Sequence, residues 1–155
     1  MDDLDIFLKD TYTLSDLKAR SRALHSYFSR IFFGGADSLA DRDMLWINAL
    51  PKDFLAKFDK DNSSRQISAL ENKIKELPLL TLYLPFEASE EAIRIIGSMT
   101  RQLFQSQLLL DIKYDPTLLA GVALVWKGVY KDYSLRSRIE ERKKEISDSF
   151  KKFLR

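Results

Sequence analysis

The residues of this 155-residue chain that could do chemistry are few, and they stand apart from the partners that catalysis needs. His25 is the only histidine and follows Leu24 in an amphipathic helical pattern, which favours a half-buried helix residue over a catalytic base or metal ligand. The adjacent pairs Glu90-Glu91 and Glu140-Glu141 point in different directions on a helix, so neither pair forms a two-carboxylate acid/base site. We therefore expect neither an enzyme nor a cofactor or metal site.

Other classes of site are excluded by composition and spacing. The chain has no cysteine, so disulfides, thiolate metal sites and thiol nucleophiles are absent. Gly34-Gly35 lacks the Gly-Lys-Ser/Thr that a phosphate-binding loop needs, and a helix stop is the expected role. The acidic start, "MDDLDIFLKD", predicts no secretory signal, and no apolar run has the length of a membrane span. The net charge of +2 is too small to indicate a partner.

The elements that would position any site divide the chain into two unlike parts, 1–77 and 78–155. In the first part, "TLSDLKARSRALHSYFSRIFFGG" predicts a helix that begins at Thr13 or Ser15 and stops at Gly34-Gly35. A second helix is predicted from Ser38 to Leu50, restarting at Pro51, and "SRQISALENKIKEL" predicts another that ends before Pro78. The first part is thus a small bundle of three or four amphipathic helices.

After Pro78 the apolar residues alternate, which indicates strands. "LLTLYLPF" predicts a strand that ends at Pro85, and Ser89 caps a following helix. "LLLDIKY", "VALVW" and "VYKD" predict three further strands, with a turn at "DPTLLAG" and a hairpin turn at Lys127-Gly128. A long helix follows from Ser134. The sequence therefore predicts an α+β fold in which helices cover one face of a small sheet.

The carboxy-terminal helix has a readable surface. From Leu135 to Arg155 there are eight Lys and Arg against four Asp and Glu. A narrow apolar stripe runs along it, here called the tail stripe: Leu135, Ile139, Ile146, Phe150 and Phe153. We expect its first two turns to pack on the sheet and the remainder to need a partner, with another helix, a membrane surface and nucleic acid as the alternatives. Trp126 and Tyr130 flank the hairpin turn, where they either stack on a ligand or form a cross-strand pair.

One stretch resembles a known family. Asp115-Pro116-Thr117-Leu118-Leu119-Ala120-Gly121, a strand, Gly128, Asp132-Tyr133-Ser134-Leu135-Arg136 and then Ile139 are similar to the carboxy-terminal signature of the delta subunit of F-type ATP synthases, whose mitochondrial counterpart is the oligomycin sensitivity conferral protein. The resemblance covers residues 77–145, about half of the chain. Two departures are plain: the family's Gly-Gly is Ala120-Gly121 here, and the helical part is shorter than the family's six-helix bundle.

The physical chemistry of the motif fits a fold junction. Gly121 permits a close backbone approach, and Ser134 stands where a helix needs its capping oxygen. Arg136 lies in the first turn, where the helix dipole disfavours a cation, so we expect a salt bridge to Asp115 or Asp132. The motif's structural residues are Asp115, Pro116, Leu118, Leu119, Gly121, Gly128, Asp132, Ser134, Arg136 and Ile139.

The resemblance implies a non-catalytic stator subunit that ties the catalytic head to the peripheral stalk. Its partners would be the b subunit of the stalk and the amino termini of the head's alpha subunits, with no direct nucleotide and no nucleic acid. It would lie peripherally at the cytoplasmic face of the bacterial inner membrane, attached only through the complex. Stalk-binding candidates are Val122, Leu124, Trp126, Tyr130, Ile146, Phe150 and Phe153. Leu17, Leu24 and Phe28 either bind the head or form the bundle core, and the alternative function is an α+β nucleic-acid-binding module that uses the basic tail and the aromatic hairpin.

Overall fold

A bundle of short helices precedes a four-stranded mixed sheet in the computed structural model, which describes residues 3–34 and 39–153. The helical part comprises α1 (Asp3–Leu8), α2 (Leu14–Phe33), α3 (Asp41–Asn48), α4 (Lys52–Leu55) and α5 (Ser63–Lys75). The second part comprises β1 (Leu79–Leu84), α6 (Glu90–Phe104), β2 (Leu109–Tyr114), a 3-10 turn (Pro116–Leu118), β3 (Ala123–Trp126), β4 (Val129–Asp132) and α7 (Leu135–Phe153). The predicted α+β class is confirmed.

The helical part contains one element more than predicted. Five α-helices lie among its described residues, and the extra one is α1, which is too short to show a helical period. Burial holds it in place, because Phe7 and Leu8 at its end are 0% and 1% exposed in the bundle core. The Thr13 hydroxyl accepts a hydrogen bond from Asp16 N (3.1 Å), as predicted for the start of α2. Two predicted boundary residues, Gly35 and Ser38, lie outside the described residues.

The sheet has the strand order β2-β1-β3-β4. β1 and β2 are parallel because α6 carries the chain across between them, whereas β3 runs antiparallel to both β1 and β4. Leu80, Leu82, Leu108 and Leu110 form its buried cluster, and Ile96 of α6 packs against them. The Ser89 hydroxyl caps α6 by accepting a hydrogen bond from Ala92 N (3.2 Å), in agreement with the sequence.

The two parts of the chain interlock along α6. The Arg101 guanidinium donates to three main-chain carbonyls, those of Leu8 (3.2 Å), Thr11 (2.5 Å) and Leu108 (3.2 Å). It also lies over the Tyr12 ring, 4.7 Å from the centroid. The Tyr12 ring occupies the space beside Gly97, which lies on α6 one turn before Arg101. A Cβ at position 97 would overlap this ring. Burial lowers the pKa of Arg101, while the electrostatic effect of Tyr12 opposes this change.

The carboxy-terminal helix departs from the prediction. We expected its first two turns to pack on the sheet, but α7 meets mainly the 3-10 turn, and none of its 19 described residues is buried. Leu135 and Ile139, which were expected to be covered, are 44% and 42% exposed. The physical reason is that α6 already occupies the sheet face that carries the apolar cluster, so α7 has no comparable apolar surface to cover.

Candidate functional site

The polar residues around the start of α7 build a hydrogen-bonded junction, defined here as residues 115–121 and 132–136. The Asp115 carboxylate accepts from the Thr117 amide (3.0 Å) and the Thr117 hydroxyl (2.6 Å), which fixes the entry to the 3-10 turn. Leu118 at the end of that turn is fully buried and anchors it. These contacts fix the loop onto which α7 docks.

The chain then passes through a strained turn. Leu119 has φ +65° and ψ −52°, and Ala120 N donates to Leu118 O at 2.8 Å, which together define a γ-turn of the rare, strained kind. The Leu119 side chain is 62% exposed, so burial of that side chain does not compensate for the strain. Gly121 follows with φ +84°, and a Cβ there would come within 2.5 Å of Tyr133 O. Only glycine fits this close approach without movement of the backbone.

The second segment of the junction, residues 132–136, caps α7. Asp132 accepts from Ser134 N (2.8 Å), and the Ser134 hydroxyl accepts from Ser137 N (3.2 Å), which confirms Ser134 as the cap. Arg136 forms an ion pair with Asp132 (3.5 Å) and donates to the Thr117 hydroxyl (2.8 Å). Of the two carboxylates that the sequence offered to Arg136, the structure selects Asp132. The Thr117 bond joins α7 to the 3-10 turn.

The two carboxylates of the junction are stabilised in their ionised form. The hydroxyl and the amide of Ser134 lower the pKa of Asp132 below its ordinary value. The pKa of Asp115 is lowered in the same way, and the hydrogen bond from the Thr117 hydroxyl is the largest cause. Both carboxylates accept hydrogen bonds from backbone amides. They therefore help to position α7.

The stalk-binding candidates divide into exposed and half-buried groups. On α7, Ile146, Phe150 and Phe153 are 41%, 65% and 89% exposed, so the distal tail stripe faces solvent. On β3 and the residue before it, Val122, Leu124 and Trp126 are half-buried and pack against the sheet cluster. The two groups lie on different elements. The structure leaves both at least partly accessible to a partner.

The aromatic side chains of the hairpin do not form the cross-strand pair that the sequence suggested. Trp126 is opposite Val129 and Tyr130 is opposite Val125, so the two rings point to opposite faces of the sheet. Trp126 contacts Phe104 of α6, with ring centroids 4.7 Å apart. Tyr130 lies near Tyr83 on the other face, at 6.4 Å. A single stacked ligand cannot contact both rings.

An apolar surface that sequence reasoning missed lies on α6. Ile95, Met99 and Leu103, here called the α6 stripe, recur every four residues and are 51%, 55% and 78% exposed. Met99 lies about 200° around the helix from Arg101, which donates to Leu108 O, so the stripe faces away from that contact. The four-residue spacing of these side chains is visible in the sequence. For a helix that lies on a sheet, however, an apolar pattern leads one to expect a single apolar face that the sheet covers, and not a second one that is exposed.

The head-binding candidates lie in the bundle core. Leu17, Leu24 and Phe28 are 1%, 0% and 4% exposed, and Phe28 stacks on Phe58 at 4.6 Å. These three side chains form part of the bundle core, as the core interpretation predicts, and their proposed contact with the head stays a prediction. His25, predicted to be half-buried, is exposed.

Within residues 3–34 and 39–153, no cluster of three or more His, Asp and Glu side chains is arranged to hold a metal ion. No helix of this described part is both long enough and apolar enough to cross a bilayer. A scan against protein-family models finds none that matches the chain, and a search of curated proteins finds no match either.

Proposed function

We propose that the protein is a non-catalytic stator subunit of an F-type ATP synthase, which links the catalytic head to the peripheral stalk. The observation that carries the proposal is the junction: its polar residues aim a 19-residue helix whose apolar stripe is exposed along its length. The resemblance of residues 77–145 to the delta subunit names the complex in which such a helix would be used.

The polar groups of the motif support a structural role. Asp132, Ser134 and Arg136 bond to one another, to the backbone or to Thr117. Catalytic side chains need free lone pairs or protons directed at a substrate. The junction instead directs these groups at the start of α7, so the proposed task of the motif is to orient a binding helix.

The geometry suits a contact with the long helices of a stalk. A helix of 19 residues is about 28 Å long, at ~1.5 Å per residue. The tail stripe is narrow and flanked by charges, which is the pattern that packs against another helix. A stalk contact must resist torque, and a long helix-on-helix interface achieves this by dissociating slowly.

The α6 stripe and β3 supply a second surface for the same partner. Phe104 joins them through its contact with Trp126, and Val129 lies opposite Trp126 on that face, 57% exposed. We propose that the b subunit contacts the α6 stripe and the tail stripe together. The helical part would contact the alpha-subunit termini of the head, and the protein would be peripheral to the inner membrane at its cytoplasmic face, held there by the complex.

The experiment is a calorimetric titration of the protein with the carboxy-terminal segment of the b subunit from the same organism, at low and at physiological salt. We expect saturable binding that persists at physiological salt. Ile146→Asp should abolish it, because it places a charge in the tail stripe. Ser147→Asp is the matched control: it adds the same charge one residue away, off the stripe, and should bind normally.

No binding, or equal loss in the two variants, would contradict the proposal. The nucleic-acid alternative rests on the basic excess of α7, since the two hairpin aromatics lie on opposite faces of the sheet. It requires binding to a single-stranded or duplex oligonucleotide whose affinity falls steeply with salt. Such binding, with no response to the b segment, would favour the alternative.

A further inference from the structure

β2 lies at one edge of the sheet, and its outer side carries main-chain groups that face away from β1. Asp115 N, directly after the strand, donates to Leu84 O of β1 at 2.8 Å, so the odd-numbered residues of β2 bond to β1. The direction of the main-chain groups alternates along a strand. The amides of Leu110, Ile112 and Tyr114 therefore face outward.

Only the first of these three outward residues is paired. The Leu110 amide donates to Tyr12 O at 2.8 Å, and Leu110 forms an isolated parallel bridge with Thr13. The chain then turns into α2. Among the described residues, nothing bonds to Ile112 N, Ile112 O or Tyr114 N. Unpaired donors and acceptors on an edge strand are a template for a further strand.

A groove of about 290 Å³ lies beside this open edge. Phe86, Ile93, Ile112 and Tyr114 contribute apolar surface to it. Phe86 and Tyr114 are 54% and 58% exposed, so this surface is accessible from solvent. Successive side chains of a strand point to opposite faces of its sheet, so every second side chain of an added strand would enter the groove.

The charged side chains that line the groove are both acidic, Glu87 and Asp111. Asp111 is partly compensated by Lys113, whose ammonium lies 3.5 Å from its carboxylate and 5.8 Å from the centre of the Tyr83 ring on β1. Glu87 is exposed and has no ion pair within the described part of the chain. The groove therefore favours a cationic side chain beside Glu87.

The opposite edge of the sheet is less suited to a further strand. β4 has only four residues, and two of them, Lys131 and Asp132, are charged. Short edge strands with charged side chains resist the addition of another strand. β2 has six residues and the apolar groove beside it.

We propose that the outer edge of β2 accepts an extended segment of a partner protein as a fifth strand of the sheet. The segment presents apolar side chains to the groove at alternate positions and a Lys or Arg to Glu87. In such complexes the main-chain hydrogen bonds provide affinity, and pockets for alternate side chains provide specificity. The site uses neither the tail stripe nor the α6 stripe, so it does not depend on the proposed stator role.

The test is an NMR titration of the isotope-labelled full chain with the synthetic peptide Lys-Val-Thr-Val-Thr-Val-Lys, capped at both ends. We expect saturable shifts of the Ile112 and Tyr114 amide resonances and none of the Tyr130 amide on the opposite edge strand. The same peptide with Glu in place of both Lys residues should bind about threefold more weakly at low salt, because ion pairs with exposed carboxylates contribute little.

Two N-methylated peptides test the main-chain contact. One carries N-methyl groups on its valines and the other on its threonines, so each lacks the donors of one edge only. Because an added strand bonds to β2 through one edge, one peptide should bind as the parent does and the other should not bind.

A pair of protein variants tests the groove. Phe86→Ser removes apolar lining and should weaken binding of the parent peptide about fivefold. Phe33→Ser, at a similarly exposed Phe on α2, is the control and should bind normally.

Four results would overturn the proposal. Loss of binding with both N-methylated peptides, or with neither, would show that the peptide does not pair through one edge. Shifts at Tyr130 without shifts at Ile112 would place the peptide on the other edge of the sheet. Equal binding by the Phe86 and Phe33 variants would exclude the groove, and tighter binding of the Glu peptide would refute the charge selection.

Discussion

Replacement of Gly121 by alanine tests whether the junction depends on the close approach of two backbone segments. Gly121 has φ +84°, a conformation that disfavours an L-residue by about 1–2 kcal/mol. A Cβ would also lie 2.5 Å from Tyr133 O and 3.1 Å from Ser134 Cα, both of which are main-chain atoms. Because no flexible side chain can move aside, the backbone must shift, and overpacking of this kind adds about 1–3 kcal/mol.

The matched control is Gly128→Ala in the hairpin turn. Gly128 has a similar φ of +79°, but a Cβ there meets nothing within 4 Å. Both variants gain about 0.4–1 kcal/mol from the reduced entropy of the unfolded chain. The conformational terms therefore nearly cancel between the two variants, and Gly121→Ala should be less stable than Gly128→Ala by about 1–3 kcal/mol.

The assay is urea unfolding followed by circular dichroism. With a slope of about 2 kcal/mol per molar urea, a difference of 2 kcal/mol moves the midpoint by about 1 M. The slope should be unchanged, because the same surface becomes exposed on unfolding. Equal midpoints for the two variants would refute the reasoning, since the cost at position 121 would then come from φ alone.

A consequence for binding follows from the neighbouring hydrogen bonds. Leu135 N donates to Ala120 O at 2.8 Å, and Tyr133 N donates to Val122 O at 2.9 Å. These two main-chain bonds flank Gly121 and join the two chain segments that meet there. A backbone shift there changes the direction in which α7 leaves the fold. Gly121→Ala should thus weaken binding of the b segment even at temperatures where the variant is folded.

Three further predictions concern single residues. Leu119→Gly should raise the unfolding free energy by up to about 1 kcal/mol, and with it the melting temperature, because glycine relieves the γ-turn strain. Leu119→Ala should not raise either quantity. Arg101→Lys should lower the unfolding free energy by about 1–3 kcal/mol, since an ammonium cannot serve three carbonyls in the same fork; the exposed Arg94→Lys is the control, and an equal effect of both would contradict this role. Asp132→Asn should lower the melting temperature at neutral pH, and because the folded pKa of Asp132 is depressed below about 3.9, its difference from the wild type should shrink as pH falls below 4; a constant difference would contradict the linkage.

The elements with strong local signals were predictable. The alternation of Leu80 and Leu82 places one face of β1 in the core, and the observed strand carries these residues on its buried side. The hairpin turn follows from Lys127 and Gly128, which both have positive φ, as the tight turn requires. Ser134 as a helix cap is also a local property. Such features depend on a few adjacent residues, and the sequence contains them.

The features that escaped prediction depend on distant partners. α1 is six residues long and is stable only because the bundle covers Phe7 and Leu8. Leu119 adopts its positive φ directly after the 3-10 turn, and a leucine gives no local sign of a γ-turn. The parallel pairing of β1 with β2 is also a tertiary property, because it joins Leu79 to Leu109, which are distant in the sequence.

The interlock around Arg101 bears on how the proposed linker would carry load. Force applied at α7 reaches the sheet through the junction, and from there it must pass to the helical part. Arg101 provides a direct route, because one guanidinium bonds to carbonyls on both sides: Leu108 next to β2, and Leu8 and Thr11 next to the bundle. The Leu110 amide adds a main-chain bond to Tyr12 O at 2.8 Å, and the Tyr12 ring fills the space that Gly97 leaves open.

A flexible linker would absorb torque by bending, whereas these contacts oppose relative rotation of the two parts. Loosening them by Arg101→Lys should accordingly speed amide exchange at Tyr12 and Leu110 while leaving the affinity of α7 for its partner unchanged.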